Sequence, residues 1–245
     1  MRMAFLALVL SLVGVAQVSG QTALQENEIL LENFEQYPPQ AFPDNWKVRG
    51  DENEARVIYR VAEENGNHFL HARAENQGVQ IGLTKTFPPK QFPILQWRWR
   101  AKQFPPGANE QVLKANDSAA GVYVVFDSTL VPRAIKYVWS SSLPVGAHLT
   151  SPVYWRAKIV VLESGSISGE GWRKESVNFY EDYKQLFGDE PGEVKGVALL
   201  TDSDTTETVA EADYDDFTLF DVNAVPGGQT KGTTALLVMP ETLNK

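Results

Sequence analysis

Residues 94–101 read ILQWRWRA, and aromatic and charged side chains alternate within this stretch. Successive side chains of a β-strand point to opposite faces of the sheet, so Trp97 and Trp99 share one face. Arg98 and Arg100 share the other face. Burial of large aromatic rings is strongly favourable, which favours the two indoles in the core. The alternative is an exposed platform of the two indoles that stacks on the apolar faces of sugar rings. The stretch therefore predicts a strand with one buried face and one cationic face.

The same two-residue period recurs on both sides of this strand. One helix interrupts the pattern, with Asn178 as its N-cap, Glu181 as the capping-box partner and Gly188 as a left-handed stop. The pattern predicts a mainly β protein, an antiparallel β-sandwich (jelly roll) of about ten strands with one short helix. The other predicted strands are 56–61, 68–73, 79–87, 121–126, 134–140, 154–162, 194–201 and 214–222.

Composition excludes several classes of site. The 245 residues include no cysteine, which excludes disulfides, zinc–thiolate sites, iron–sulfur clusters and thiol nucleophiles. The formal net charge of -9 argues against a nucleic-acid partner, whose phosphates require a basic surface. No nucleophile elbow, P-loop or dinucleotide fingerprint is present in the sequence.

The first twenty residues have the pattern of a signal peptide. Arg2 precedes an apolar run over 3–18, and small residues at 18–20 predict cleavage before Gln21. A membrane anchor is the alternative, but a run of about 15 residues is short for a bilayer of about 30 Å. Because an exported chain without cysteine is typical of bacteria, we expect a periplasmic or secreted bacterial protein with no transmembrane segment after signal removal. One domain is predicted over residues 27–223, followed by a flexible C-terminal tail over 224–245.

Both ends of the predicted domain resemble jelly-roll domains of the galactose-binding-like type. The opening reads LENFE at 31–35 and FPDNW at 42–46, and the closing strand reads ADYDDFTL at 212–219. The resemblance implies that the first and last strands pair, and that an acidic residue from each holds a structural Ca²⁺. Glu35 and Asp216 are the candidates, and no other cofactor is expected. The alternative is a solvated negative edge that discourages aggregation between strands.

An ordered series of motifs runs from WRWR at 97–100 to LLTDSDT at 199–205. This series resembles the bacterial family of unknown function DUF3047. The similarity covers residues from about 30 to 222. This resemblance implies a secreted β domain and does not imply any activity. The motifs are WRWR at 97–100, Asp117 ahead of VYVVF at 122–126, IKYVW at 135–139, GW at 171–172, DY at 182–183, FG at 187–188 and LLTDSDT at 199–205.

Three aspartates form the strongest candidate site. Asp202 and Asp204 follow a strand that reads as buried, and Asp117 precedes another strand. Carboxylates that lie close together raise each other's proton affinity or bind a hard cation. Three alternatives follow: the side chains cap turns, they bind Ca²⁺, or they form an acid/base pair for glycan cleavage.

The leading hypothesis is an exported β-sandwich module that binds a glycan or another cell-envelope ligand without catalysis. Six tryptophans exceed the needs of one core, so one or two are expected to line a groove. One alternative is a glycoside hydrolase or polysaccharide lyase that uses Asp117, Asp202 and Asp204. Another is a protein-binding envelope module that docks through the apolar segment 236–239. The candidate ligand-binding residues are Arg98, Arg100, Asp117, Trp139, Asp202 and Asp204.

Overall fold

Two β-sheets pack face to face across a hydrophobic core in the computed structural model, which describes residues 27–127, 130–165, 171–221 and 237–238. The predicted signal peptide at 1–20 lies outside the described residues. So does the tail at 224–245, except for residues 237–238. Within the described part, no helix is both long and apolar enough to cross a membrane.

The chain alternates between the two sheets. The strands are β1 (Glu28–Glu32), β2 (Trp46–Arg49), β3 (Tyr59–Glu64), β4 (Asn67–Glu75), β5 (Gln80–Phe87), β6 (Ile94–Gln103), β7 (Ala120–Phe126), β8 (Arg133–Ser140), β9 (Ala147–Thr150), β10 (Ala157–Ser164), β11 (Arg173–Asn178), β12 (Val194–Leu200), β13 (Val209–Phe220) and β14 (Leu237–Val238). The helices are α1 (Glu52–Ile58) and α2 (Phe179–Phe187), with a short 3-10 turn at Leu113–Ala115.

The strand order defines a six-stranded and an eight-stranded sheet. The six-stranded sheet runs β11-β6-β13-β4-β3, and β1 also pairs with β13. The eight-stranded sheet runs β14-β9-β10-β8-β7-β12-β5-β2. The mainly β sandwich predicted from the sequence is confirmed. Its strands are not all antiparallel, however, because β10 pairs with β8 and β14 pairs with β9 in parallel.

A second helix occupies part of a predicted strand. The alternation over 56–61 predicts a strand, but α1 continues to Ile58 and β3 starts only at Tyr59. The Asp51 carboxylate caps this helix by accepting hydrogen bonds from the backbone N–H groups of Asn53 at 2.8 Å and Glu54 at 3.0 Å. An N-cap of this kind stabilises a helix start, which explains why the local alternation does not decide the structure here.

The strand that decides the fold, β6, lies near the centre of the six-stranded sheet. Trp97 and Trp99 are fully buried, as predicted. Their rings meet aromatic rings of the opposite sheet: Trp97 lies 5.9 Å from Tyr137 and Trp99 lies 5.8 Å from Trp139, centroid to centroid. The core between the sheets is therefore built on two aromatic contacts between β6 and β8.

The two ends of the domain pair, as the resemblance implies. Strand β1 runs antiparallel to β13, with Glu28 opposite Phe220 and Glu32 opposite Phe217. A bulge places Asp216 in a left-handed conformation (φ 55°) and turns Phe217 into the core. The closing strand thus carries its aromatic residue inward and its acidic residue outward.

Helix α2 begins and ends as the sequence predicts. The Asn178 side chain accepts a hydrogen bond from the Glu181 N–H at 3.0 Å, and Gly188 ends the helix with φ 76°. The helix buries Asp182, whose Oδ2 accepts a hydrogen bond from the Tyr137 hydroxyl at 2.7 Å. Burial raises the pKa of Asp182 to about 7, although the Tyr137 hydrogen bond opposes the rise.

This buried carboxyl predicts that stability falls as pH rises. The native state holds the Asp182 proton up to about pH 7, whereas an unfolded aspartate loses it near pH 4. The free energy of unfolding therefore decreases between about pH 4 and 7, by at most about 1.4 kcal/mol per pH unit for one group. In the Asp182→Asn variant this contribution is absent, so urea denaturation between pH 5 and 7 should give a shallower pH dependence than in the wild type.

The control is Asp44→Asn, because Asp44 is an exposed aspartate near Arg56. We expect its pH dependence to match the wild type. If Asp182→Asn also shows the wild-type slope, the buried carboxyl does not retain its proton and the prediction is wrong.

Candidate functional site

A groove of about 510 Å³ runs across the outer face of the eight-stranded sheet. Tyr123 of β7 and Lys136 of β8 point into it, while their neighbours Val122 and Tyr137 point into the core. The loop before β8 and the loop before β10 form one wall, which includes Tyr154. The groove is thus assembled from strands and loops that are distant in the sequence.

Small residues shape the floor of the groove around Lys136. A Cβ atom on Gly121 would lie 2.8 Å from Lys136 Cε, so the lysine side chain crosses β7 at the one position without a side chain. Lys136 is 5% exposed, and its Nζ donates a hydrogen bond to Ser118 Oγ at 2.9 Å. Gly121 therefore allows a buried ammonium group to reach the centre of the sheet.

The surroundings of Lys136 keep it charged. Burial alone lowers the pKa of the ammonium group, but Tyr123, Asp202 and Glu110 raise it, and the result lies above the ordinary value. Lys136 Nζ lies 5.6 Å from the centroid of the Tyr123 ring. The floor of the groove therefore carries a fixed positive charge.

The three predicted aspartates are brought together at one end of this groove. Asp117, Asp202 and Asp204 each offer an oxygen, and these oxygens lie within 4.8 Å of one another. None of the three lines the groove itself, although Asn116 and Gly78 beside them do. The cluster therefore sits next to the groove, behind its lining.

Asp117 holds the loop that follows β12. Its two oxygens accept four hydrogen bonds, from the backbone N–H groups and hydroxyls of Thr205 and Thr206, at 2.6 to 3.2 Å. Burial raises the pKa of Asp117, but these hydrogen bonds outweigh it and hold the pKa below the ordinary value. The capping alternative from the sequence thus describes what Asp117 does in the fold.

The other two aspartates differ in exposure. Asp202 is buried and accepts a hydrogen bond from the Ser118 N–H at 2.9 Å. Burial raises its pKa to about 7, with Lys136 opposing and Asp117 adding to the rise. Asp204 is exposed on one side, and partial burial together with Asp117 raises its pKa.

The predicted arginine pair lies on the other side of the molecule. Arg98 and Arg100 occupy the outer face of the six-stranded sheet, where Asp215 and Asp213 of β13 pair with them. The Trp172 ring covers both guanidinium groups, at 4.7 Å from Arg98 and 4.6 Å from Arg100. The structure therefore does not bring the arginines together with the three aspartates.

Tryptophan placement requires a correction. Trp139 is a predicted ligand-binding residue, but it is 0% exposed in the core and offers no ring face to a ligand. Trp155 is 70% exposed and lies in the loop beside Tyr154. Sequence reasoning missed Trp155, Lys136 and Arg49 as candidates. A lysine in the apolar strand at 133–140 was the available signal for Lys136.

Calcium binding stays a prediction at both acidic clusters. Four hydrogen bonds occupy the acceptor positions of Asp117, so Asp202 and Asp204 would supply most of the coordination there. At the domain ends, Glu35 accepts a hydrogen bond from the His68 N–H, and Asp216 lies 2.8 Å from Arg98 Nε. Each of these two carboxylates thus already has a different partner.

If either cluster binds Ca²⁺, EDTA will lower the melting temperature by several degrees, because a cation that binds only the native state stabilises it. Calorimetry with EDTA and then with excess Ca²⁺ measures the effect. Asp204→Asn should abolish the shift if the mid-chain cluster binds the ion, and Asp216→Asn should abolish it if the domain ends do. An unchanged melt in EDTA removes the calcium prediction.

Solved structures give only distant likenesses. The family 30 carbohydrate-binding module of the cellulosomal cellulase Cel9D-Cel44B of Clostridium thermocellum is 10% identical, with a TM-score of 0.41 over 72% of this chain and 87% of that chain. The family 11 module of the cellulase Lic26A-Cel5E of the same organism is 9% identical, with a TM-score of 0.39 over 80% of this chain and 95% of that chain. At such TM-scores these likenesses carry no argument about the ligand. No curated protein matches the sequence.

A family model matches the sequence itself. The model is described as a protein of unknown function (DUF3047), and it matches residues 44–218, which is well over half of the chain. The match includes most strands of both sheets, the residues that line the groove and the three aspartates, and it confirms the resemblance that the ordered motifs carry. The chain therefore belongs to the DUF3047 family.

Proposed function

We propose that this protein is an exported module that binds a glycan without catalysis, in the groove of the eight-stranded sheet. The observation that carries the proposal is the groove itself, which combines tyrosine rings and apolar side chains with hydrogen-bonding side chains. Tyr123 and Tyr154 supply rings, and Gln80, Asn116 and Ser151 supply polar groups. Sugars present both apolar ring faces and many hydroxyl groups, so this combination suits them.

The shape of the groove supports a polymeric ligand. A second hollow of about 230 Å³ continues across β12, β5 and β2, and it shares Arg49, Gln80 and Val125 with the groove. Together the two hollows cross most strands of the sheet, from the loop before β10 to β2. An open surface of this length fits a chain of sugar units better than a small enclosed metabolite.

The position of the carboxylates favours binding over catalysis. A glycoside hydrolase needs two carboxyl groups that reach the substrate on either side of the scissile bond. Asp117 and Asp202 are buried, and none of the three aspartates lines the groove. Asp117 is also committed to four hydrogen bonds within the fold. The alternative of a hydrolase or lyase would require the loop that follows β12 to rearrange.

The protein-binding alternative depends on the C-terminal segment. Leu237 and Val238 pair in parallel with Ala147 and His148 of β9, at the edge of the eight-stranded sheet. A segment that pairs with its own domain is less available for docking to another protein. Glycan binding in the groove does not require this segment.

A tyrosine variant tests the glycan proposal. We expect Tyr154→Ala to weaken binding at least tenfold, because the stacking of a sugar ring on the aromatic ring is lost together with part of the groove wall. A glycan array identifies a ligand, and isothermal titration then compares the variants. Tyr180→Ala is the matched control, since Tyr180 lies on α2 and does not line the groove. Equal affinities of the two variants would place binding elsewhere, and silence of the array would contradict the proposal.

Export has its own test. When the full chain is expressed in a bacterial host, we expect the protein in the periplasm or medium to have the mass of a chain that begins at Gln21. Leu8→Arg interrupts the apolar run and should leave the uncleaved chain in the cytoplasm. Recovery of the wild-type chain with residues 1–20 still attached would contradict the export proposal.

A further inference from the structure

We infer that the ligand of the groove is anionic: a saccharide that carries carboxylate, sulfate or phosphate groups. This inference rests on the proposed function, because it names the chemical class of the glycan. It follows from the charges that line the groove, two of which have no carboxylate within 4.0 Å among the described residues.

The groove is cationic in a protein that is acidic as a whole. The chain has 31 Asp and Glu against 22 Lys and Arg. Yet Arg49, Arg133 and Lys136 line the groove, and no carboxylate is among the described residues that line it. The adjoining hollow adds Lys47 and Lys195; no carboxylate is among its described lining residues, although Asp127 and Glu193 pair with Lys195 from outside the hollow. The sign of this surface is therefore the reverse of the net charge, which favours an anionic partner.

Lys136 provides the strongest single observation. Its ammonium group is buried, and burial of a charge is costly unless an opposite charge pairs with it. Within the described part of the chain, no carboxylate oxygen lies within 4.0 Å of Lys136 Nζ; the ammonium group donates a hydrogen bond to the Ser118 hydroxyl, and the Tyr123 hydroxyl also stabilises its charge. Asp202 and Glu110 act on it only from longer range. The positive charge therefore lies just below the groove, where it attracts an anion that binds above it.

Arg49 is a second cation without a carboxylate partner among the described residues. It is exposed on β2, and it lies close enough to influence Tyr123, the residue opposite Lys136 in the sheet. Arg133 differs, because Asp189 and the Tyr183 hydroxyl already bind its guanidinium group at 2.7 Å. Arg49, Tyr123 and Lys136 therefore form an anion-binding set of two charges and one hydroxyl.

The backbone of the floor is adapted to this arrangement. Gly121 leaves the space through which the Lys136 side chain passes, and any larger residue there would meet Lys136 Cε at 2.8 Å. A lysine that only covered the sheet could lie along the surface with its ammonium group in water. Here the side chain is instead drawn into the centre of the sheet, below the open groove.

The test compares an acidic oligosaccharide with its own neutral derivative. Isothermal titration measures binding of oligogalacturonate and of the fully methyl-esterified oligomer, in which each carboxylate is replaced by a neutral methyl ester. We expect at least tenfold tighter binding of the acid in low salt, and a smaller advantage at high salt because surface charges are screened. A sulfated and a phosphorylated oligosaccharide form parallel arms that identify the anionic group.

Arg49→Gln locates the effect without disturbing the buried lysine. The variant should lose at least tenfold affinity for the acidic oligomer and bind the ester as the wild type does. Arg173→Gln, an exposed arginine on the six-stranded sheet, is the matched control and should leave both affinities unchanged. Lys136→Met, if folded by circular dichroism, should also remove the preference for the acid.

Each outcome separates this inference from the proposed function. Equal affinity for the acid and the ester, both weakened by Tyr154→Ala, overturns the anionic ligand and leaves glycan binding intact. A preference for the acid that Arg49→Gln does not change overturns the assignment of the anion to this set of residues. Failure to bind any neutral or acidic saccharide overturns both proposals.

Discussion

The contact between β6 and β8 is the constraint on which the rest of the molecule depends. Trp97 and Trp99 meet Tyr137 and Trp139 across the core, and these four rings fill the space between the two strands. Because side chains alternate along each strand, the residues between these rings must point outward. One core contact thus sends the two arginines of β6 to one outer face and Lys136 of β8 to the other.

The two outer faces treat their cations differently. On the six-stranded sheet, Asp213 and Asp215 of β13 stand opposite Arg100 and Arg98, and Trp172 covers both guanidinium groups. On the eight-stranded sheet, the residue opposite Lys136 is Tyr123, which brings a hydroxyl and an aromatic ring. The arginines of the six-stranded sheet are therefore paired with carboxylates of the same sheet, whereas Lys136 faces a tyrosine across the strand pair. The face with the more conspicuous sequence motif is therefore the less suited to a ligand.

Periodicity and caps made most of the fold predictable from the sequence. The burial of the indoles and both ends of α2 depend on strand parity or on near neighbours in the chain, whereas the pairing of the first and last strands was expected from the resemblance to jelly-roll domains. Two other predictions failed, for different reasons. The Asp51 cap stabilises a helix in a stretch whose alternation predicts a strand. Trp139 faces the core because the six-stranded sheet packs on that face of β8. The grouping of Asp117 with Asp202 and Asp204 was predictable as a possibility, since all three lie at strand ends. The union of Arg49, Tyr123 and Lys136 depends on strand order, which no local pattern encodes.

Strand order also determines which strands must be in place before the groove is complete. Strand β12 lies between β7 and β5, so the two halves of the eight-stranded sheet join only through residues 194–200. Until these residues are in place, β2 with Arg49 has no connection to the strands that carry Tyr123 and Lys136. Pairings between such distant segments form slowly, because the entropy cost of closing a long loop comes before the contacts that stabilise it. The groove is consequently complete only when β12 lies between β7 and β5, so its two halves depend on one late segment of the chain.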